Sequence, residues 1–278
     1  LKVLVTGANG QLGSEFKFIK SEFGAFEFSF FGKNELDITD AKAVEVAVAG
    51  FDAVVNAAAY TAVDRAESER EAAFAINETG ALNLALACKK HGAQLVHIST
   101  DYVFDGRAFS PLDESAPVSP LGVYGASKLA GERAVLGVGL ERSCIIRTSW
   151  VYGEFGANFV KTMQRVGRER ESVSVVCDQV GTPTNARDLA RAVCVALPRL
   201  SGGCETYHYS NEGVASWYDF AVAVLGASKV RPIKSSEFKT AAARPFYSVL
   251  DKSKIKRELG VAVPHWQESL REFLRSED

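Results

Sequence analysis

Lys2-Val3-Leu4-Val5-Thr6 runs straight into Gly7-Ala8-Asn9-Gly10-Gln11-Leu12-Gly13, and the reading of this junction decides the fold. The first five residues form a short, apolar, largely β-branched run, the pattern of a strand buried on both faces. The glycines behind it recur every third residue and predict a tight turn opening directly into a helix. Each has its own task. Gly7 permits the turn, Gly10 lets backbone N–H groups approach a pyrophosphate, and Gly13 allows the helix to pack close to the strand. The first turn of the helix adds free N–H groups and the positive end of a dipole. Gly7, Gly10, Gln11, Leu12 and Gly13 are therefore the candidate phosphate-binding residues of a dinucleotide site, a bare βα turn being the other reading.

Outward from the junction, apolar runs of strand length alternate with helical patterns. Lys2–Thr6, Phe26–Phe31, Ala53–Asn56, Gln94–Ser99 and Cys144–Thr148 read as strands. The clearest helical stretch is Ser68 to His91, with Ala73, Ile76, Gly80, Asn83 and Ala87 on its inward face and Gly92 ending it. This alternation predicts an α/β fold, a Rossmann-like doubly wound parallel sheet with right-handed crossovers. After Trp150, five prolines break the chain into shorter pieces, among them a strand at Glu205–Ser210 and helices at Ser216–Leu225, Lys252–Leu259 and Trp266–Leu274. The expected organisation is a dinucleotide-binding domain over 1–150, with 185–210 returning to it. A smaller, mainly helical C-terminal substrate lobe is expected from 151–184 and 211–278.

Composition excludes several alternatives. Hydrophobic residues at 47% and charged residues at 24% suit a globular chain, and a net charge of −2 does not suit a nucleic-acid partner. The basic run Arg165, Arg168, Arg170 is interrupted by Glu169 and Glu171 and reads as a solvated helix end. The longest apolar window, Ala43 to Tyr60, carries Glu45 and Asp52, so no membrane span is expected. Nor is a targeting leader expected ahead of a strand that begins at Lys2. Cys88, Cys144, Cys177, Cys194 and Cys204 form an odd set without C-x-x-C spacing, which suits buried thiols in a reducing compartment, by default the cytoplasm.

Where an acidic residue would close the second strand on a cofactor ribose, the chain has Phe31-Gly32-Lys33-Asn34. An acid there would bind the 2′-hydroxyl of NADH and repel a 2′-phosphate. Its absence, with Lys33 close by, points to NADPH, with NADH as a second donor. Lys33 as a solvated turn residue is the other reading. Asp37 and Ile38 follow and can frame the adenine.

Tyr124-Gly125-Ala126-Ser127-Lys128 places a phenol and an ammonium four residues apart, on one face of a helix. The expectation is that Lys128 lowers the Tyr124 pKa towards the working range, so that the phenol can hand a proton to a developing alkoxide. Ser99 and Thr100 end a strand at the carboxyl edge of the sheet, where open α/β folds bind ligands, and a hydroxyl there can orient a carbonyl.

These stretches together resemble one family. The glycine loop, spaced G-x-x-G-x-x-G, is similar to that of the extended short-chain dehydrogenases. Asn56-Ala57-Ala58-Ala59-Tyr60-Thr61-Ala62-Val63-Asp64, Ser99-Thr100-Asp101-Tyr102-Val103-Phe104-Asp105-Gly106 and Arg147-Thr148-Ser149-Trp150-Val151-Tyr152-Gly153 narrow the resemblance to the dTDP-4-dehydrorhamnose reductases. It continues through Asp178-Gln179-Val180-Gly181-Thr182-Pro183-Thr184, Arg244-Pro245 and Leu250-Asp251, nearly the whole chain. It implies NADPH-dependent reduction of the 4-keto group of dTDP-4-dehydro-6-deoxy-L-mannose, with Thr100, Tyr124 and Lys128 catalytic. It implies that Ala57, Ala58, Ala59 and Ser99 line the cofactor. Thr61, Val63, Thr100, Tyr102 and Trp150 would touch the dTDP-sugar, and Arg244 would meet its diphosphate. Core packing remains the alternative for Trp150, and a surface ion pair for Arg244.

Related 4,6-dehydratases carry Thr-Asp-Glu where this chain has Thr100-Asp101-Tyr102, so elimination lacks its second carboxyl group. Some family members hold magnesium through glutamates at a dimer interface. Glu15 matches one of these, but the others fall at Ala186-Arg187-Asp188 and Gln267, so no metal is expected unless Asp188 or Glu268 substitutes. A monomer or homodimer is expected. Two other readings stay open: another nucleotide-sugar 4-ketoreductase or epimerase, and a non-catalytic subunit on the same fold, as in the regulatory subunit of methionine adenosyltransferase.

Overall fold

In the computed structural model, which describes residues 1–276, six strands form one sheet. They are β1 (Lys2–Thr6), β2 (Glu27–Phe31), β3 (Ala53–Asn56), β4 (Gln94–Thr100), β5 (Arg142–Thr148) and β6 (Gly203–His208). Their spatial order is β6-β5-β4-β3-β1-β2, and every pairing is parallel. The strand that follows the long excursion through residues 151–202 thus pairs with β5 at the sheet edge.

Strand periodicity explains the two cores. Val3 and Val5 project to one face with Val55, Val96 and Ile146, where they meet Phe16 and Ile19 of the helix Gln11–Ile19 and Leu189 and Val193 of Ala186–Ala196. Leu4, Val54, Leu95 and Ile145 project to the other, against Val44 and Val48 of Ala41–Val48, Leu84 and Cys88 of Ala81–His91, and Val135 of Val123–Val138. Each fully buried aliphatic side chain contributes roughly 1.5–3 kcal/mol. A one-residue slip of β1 would exchange its two faces and forfeit that packing.

The remaining chain builds a second aromatic core from Tyr152, Phe159, Phe220, Trp266 and Phe273, carried mainly by helices Phe159–Glu169, Trp217–Leu225 and Trp266–Ser276. Ser216 and Asp219 close a reciprocal capping box that fixes where Trp217–Leu225 begins. Three short strand pairs complete this part, including Val173–Val176 with Val230–Ile233. The helix Ser253–Leu259, read from the sequence as part of the smaller lobe, instead places Ile255 and Leu259 in the sheet-face core beside Leu189 and Val193. Its apolar face matches the stripe that the sheet leaves uncovered.

The helix expected over Ser68–His91 differs in one instructive way. Residues Ala75–Gly80 form a π-helical turn between Arg70–Phe74 and Ala81–His91. Of the expected inward face, Ala73, Gly80 and Ala87 are buried and Ile76 and Asn83 only half-buried, while Asn77, Ala81, Leu84 and Ala85 are buried beside them. All five cysteines are free thiols. Among the described residues, no helix is long and apolar enough to cross a membrane.

Candidate active site

The sheet order reverses at β1, which has β2 on one side and β3 on the other, and ligands of open α/β sheets bind at such a point beyond the carboxyl ends of the strands. Gly7 follows β1, Ala57–Ala59 follow β3, Ser99 and Thr100 close β4, and Trp150 lies just past β5. The topology therefore brings the predicted residues to one edge.

The phosphate loop is built from close backbone approaches. Gly7 has φ +63°, and a Cβ there would lie 2.6 Å from the Ala58 backbone. A Cβ on Gly13 would lie 2.4 Å from the Gly7 carbonyl oxygen, so helix and turn touch directly. Gly10 begins the helix Gln11–Ile19 in extended geometry, and no side chain caps its first N–H groups. An anion at this point meets unoccupied donors, which is the fit a dinucleotide pyrophosphate requires. Gln11 has only its backbone free for such an anion. Its side chain donates to the Val151 carbonyl (3.1 Å) and accepts from Asn158 (3.0 Å). Leu12 is buried.

Beside the loop lies a cleft of about 250 Å³ bounded by Gly7, Gly10, Lys33, Asp37, Ile38 and Ala57–Ala59, together with Leu36 and Ile76, which the sequence had not marked. Thr39 donates to Asp37 from both its N–H (2.9 Å) and its hydroxyl (2.7 Å), and these bonds hold the Asp37 carboxyl below its usual pKa. One expectation is corrected here. A carboxylate does stand at the end of β2, because Glu35 folds back and accepts the Gly32 N–H at 2.9 Å. A Cβ on Gly32 would lie 2.8 Å from that carboxylate and 2.2 Å from the Asn9 amide, so those side chains fill the space an acid at the strand end would occupy.

Tyr124 and Lys128 share the helix Val123–Val138, which seats against the turn Asp101–Val103. Gly125 makes the approach possible, since a Cβ there would lie 2.2 Å from the Tyr102 carbonyl oxygen. The Tyr124 and Tyr102 rings meet edge to face at 5.4 Å. The expected lowering of the Tyr124 pKa by Lys128 is not found. Burial raises the phenol well above its usual value, the nearby Thr100 hydroxyl opposes the shift, and the Asp101 carboxyl and Tyr102 add to it. Lys128 is 2% exposed and donates to the Ile98 carbonyl at 2.6 Å, and burial brings its own pKa down to about 8.

The two hydroxyls of β4 separate. Ser99 is buried and donates to Glu132 at 2.5 Å, which in turn receives Arg147 Nη2 (2.7 Å) and Nε (2.9 Å), so Ser99 braces a buried ion pair and its hydroxyl is not turned to a ligand. Thr100 keeps company with Tyr124 and Asp101. Asn77, on the π turn, accepts the Tyr60 N–H (2.9 Å) and donates to the Tyr60 carbonyl (3.1 Å) and to Ser127 (2.9 Å). It ties the Ala57–Thr61 loop to the Tyr124 helix, a role no isolated asparagine advertises in sequence.

A second cleft, of about 540 Å³, is lined by the predicted Val63, Tyr102 and Arg244, and also by Phe159, Met163, Gln179, Trp217 and Phe238. Trp150 stacks on Trp217 at its margin. Thr61 is exposed. Arg244 donates to Asp64 at 2.8 Å, so the ion-pair alternative is realised in this structure, while its charge also acts on the Tyr102 phenol. Lining neither cleft, Glu15 is 1% exposed and accepts Arg187 Nε at 2.9 Å, and Asp188 accepts from Asn211 and Ser269.

Known proteins match the chain over nearly its whole length. The family model described as RmlD substrate binding domain matches residues 1–278. The chain is 44% identical to a dTDP-4-dehydrorhamnose reductase of Streptomyces griseus, over 97% of this chain and 91% of that one. It superimposes on a Clostridium acetobutylicum dTDP-4-dehydrorhamnose reductase with a TM-score of 0.93 at 41% identity, covering 100% and 99% of the two chains. A Bacillus anthracis dTDP-4-dehydrorhamnose reductase solved with NADP gives a TM-score of 0.91 at 42% identity, covering 99% of each.

Proposed function

Because the chain belongs to the family of dTDP-4-dehydrorhamnose reductases carrying the RmlD substrate binding domain, we propose that it reduces the 4-keto group of dTDP-4-dehydro-6-deoxy-L-mannose to give dTDP-L-rhamnose, with Tyr124 as the proton donor. NADPH, when bound, supplies the hydride. The residues that would hold it are the Gly7–Gly13 loop at the pyrophosphate, Lys33 at the 2′-phosphate, Leu36, Ile38 and Ile76 around the adenine, and Ala57–Ala59 with Lys128 further along. Residues 1–150 and 203–208 serve the cofactor in this reading, and the cleft bearing Trp217 takes the nucleotide sugar.

The observation that carries the proposal is the joint placement of Thr100 and Tyr124 at the carboxyl edge, beside a helix N-terminus with free N–H groups. An alkoxide is far more basic than a phenolate, so a Tyr124 held protonated by burial is a competent acid for the reductive direction. Thr100 places a second hydroxyl beside the Tyr124 oxygen, where it bears on the phenol's proton. Buried Lys128 braces the floor through Ile98 and places positive charge beneath the forming oxyanion.

The test follows the loss of reduced-nicotinamide absorbance with the nucleotide sugar and NADPH, repeated with NADH, and identifies the product. In parallel, Tyr124→Phe should lower turnover by about 10²-fold, the usual scale of general acid catalysis, with NADPH binding retained. Near wild-type turnover in that variant would remove Tyr124 from the role. Silence of the wild type on this sugar, despite NADPH binding, would direct the search to another nucleotide sugar.

A further inference from the structure

Asp101 is 1% exposed, sits one residue beyond Thr100, and has no part in the reaction as described above. Its Oδ1 receives the Thr100 hydroxyl at 3.0 Å, while the same Thr100 oxygen accepts the Tyr102 N–H at 3.2 Å and stands near enough to the Tyr124 phenol to bear on its proton. A threonine hydroxyl has a single hydrogen to give. Whichever neighbour takes it decides what Thr100 can do for Tyr124.

We propose that Asp101 is a positioning residue that controls Tyr124 through Thr100, its carboxyl group deciding whether the Thr100 hydrogen is available to the tyrosine oxygen. An ionised carboxylate only accepts, so it holds the Thr100 hydrogen, and Thr100 can then only accept from Tyr124. That arrangement turns the phenol hydrogen away from a substrate carbonyl and leaves the forming phenolate without a donor. A protonated Asp101 donates to the Thr100 oxygen instead. The Thr100 hydrogen then turns to the phenolate oxygen that remains once Tyr124 has given up its proton. Charge acts in the same direction, because a carboxylate beside a forming phenolate disfavours it. No proton leaves Asp101 in this scheme; only hydrogen-bond directions change.

Burial raises the Asp101 carboxyl to about 6, opposed by the neighbouring Ser248 and Thr100 hydroxyls and the N–H groups of Asp101 and Tyr102. The titratable groups facing this corner are the Tyr124 phenol from the helix Val123–Val138 and the Tyr102 phenol from the adjoining turn, with Arg244 and Asp64 beyond Tyr102. Both phenols are raised by burial and keep their protons through the neutral range. The neutral, productive form of Asp101 therefore gains population as pH falls through about 6.

The proposal rests on Tyr124 as proton donor, and the experiment separates the two. Single-turnover reduction of the nucleotide sugar by the NADPH complex is followed by stopped flow from about pH 5 to about pH 8 in the wild type, D101N, T100V and Y124F. The wild-type rate should fall roughly tenfold between about pH 5 and about pH 7, as a single group near the middle of that range titrates. D101N and T100V should lose that dependence, whatever their absolute rates, with NADPH affinity unchanged. Infrared difference spectra of the ligand-free enzyme should show a buried protonated-carboxyl band at low pH that D101N lacks. This arm reads the carboxyl without turnover. T100V reads the coupling even if D101N does not fold. A flat wild-type profile, or a D101N profile parallel to the wild type, would overturn the role of Asp101. A fully active Y124F would instead remove the proton donor.

Discussion

The indole rings of Trp150 and Trp217 lie face to face, 3.6 Å apart and within 8° of parallel. Trp150 has the one positive φ among the described non-glycine residues, +47°, and its ring presses on Gly181, where a Cβ would fall 2.7 Å away. A bulky residue in that backbone region costs on the order of 1–3 kcal/mol and persists only where its surroundings over-determine it. The stack on Trp217 and the notch at Gly181 are those surroundings. Trp217→Ala should therefore loosen Trp150 and raise the KM for the nucleotide sugar by about tenfold, with about 1 kcal/mol from the lost aromatic pair. The KM for NADPH should not move. Equal changes in both would show that the stack supports the fold and does not shape the substrate cleft.

On the function proposed here, cofactor choice would rest on two opposed side chains at the end of β2. Lys33 lines the cleft and favours a 2′-phosphate, whereas the Glu35 carboxylate, held on the Gly32 N–H, disfavours one. Lys33→Ala should raise the KM for NADPH several-fold and leave NADH nearly unchanged. Glu35→Gln should do the reverse, lowering the KM for NADPH, since exposed charges act with about 1 kcal/mol or less. Steady-state kinetics with both cofactors decides. An equal effect of Lys33→Ala on NADH and NADPH would end the argument from the 2′-phosphate.

That cleft also marks what could be read from the chain and what could not. The strand–glycine–helix junction and the spacing of Tyr124 and Lys128 depend on local backbone geometry, so they are visible in sequence. Glu35 was missed because an acid three residues beyond Gly32 reaches the strand end only through a turn whose shape sequence does not announce. Asn77 and Trp217 lie far along the chain from the groups they touch. Within the π turn at Ala75–Gly80 a strict 3.6-residue period points Ile76 inward, whereas Asn77 is the buried side chain there. The sign of the Tyr124 shift was misjudged for a related reason. Four residues of spacing place Lys128 on the same face, but its ammonium is engaged by Ile98, and burial governs the phenol.

Beneath Thr100 the chain buries a full ion pair. Arg147 and Glu132 are 7% and 1% exposed, with Ser99 on the carboxylate and the guanidinium over the Phe104 ring at 5.1 Å. Removing one partner of such a pair strands the other charge, at about 3–5 kcal/mol. Arg147→Met should lower the stability to urea by that amount, visible as a lower midpoint at unchanged slope. The double variant Arg147→Met with Glu132→Leu should recover a good part of the loss. A double variant no more stable than Arg147→Met would mean that the pair is held for its packing, not its charge.

Lys128 makes the opposite prediction for stability, and its sign can be worked out. Burial lowers its pKa from the ordinary 10.5 to about 8, so between those values the folded state binds fewer protons than the unfolded one. Stability therefore rises with pH across that window. Below about pH 8 the ammonium is charged in both states, and its burial opposes folding by about 3 kcal/mol, at about 1.4 kcal/mol per unit. Lys128→Met removes that burden and also the bond to Ile98, leaving a net gain of about 1–2 kcal/mol at neutral pH. The advantage should shrink as pH is raised from about 8 to about 10, because the wild-type lysine is then neutral when folded. Catalysis should suffer below about pH 8, where the wild-type ammonium supplies the positive charge that the variant lacks. Unfolding curves for both proteins across that range decide the matter. A Lys128→Met protein less stable than the wild type at neutral pH would show that the Ile98 bond outweighs the cost of burying the charge.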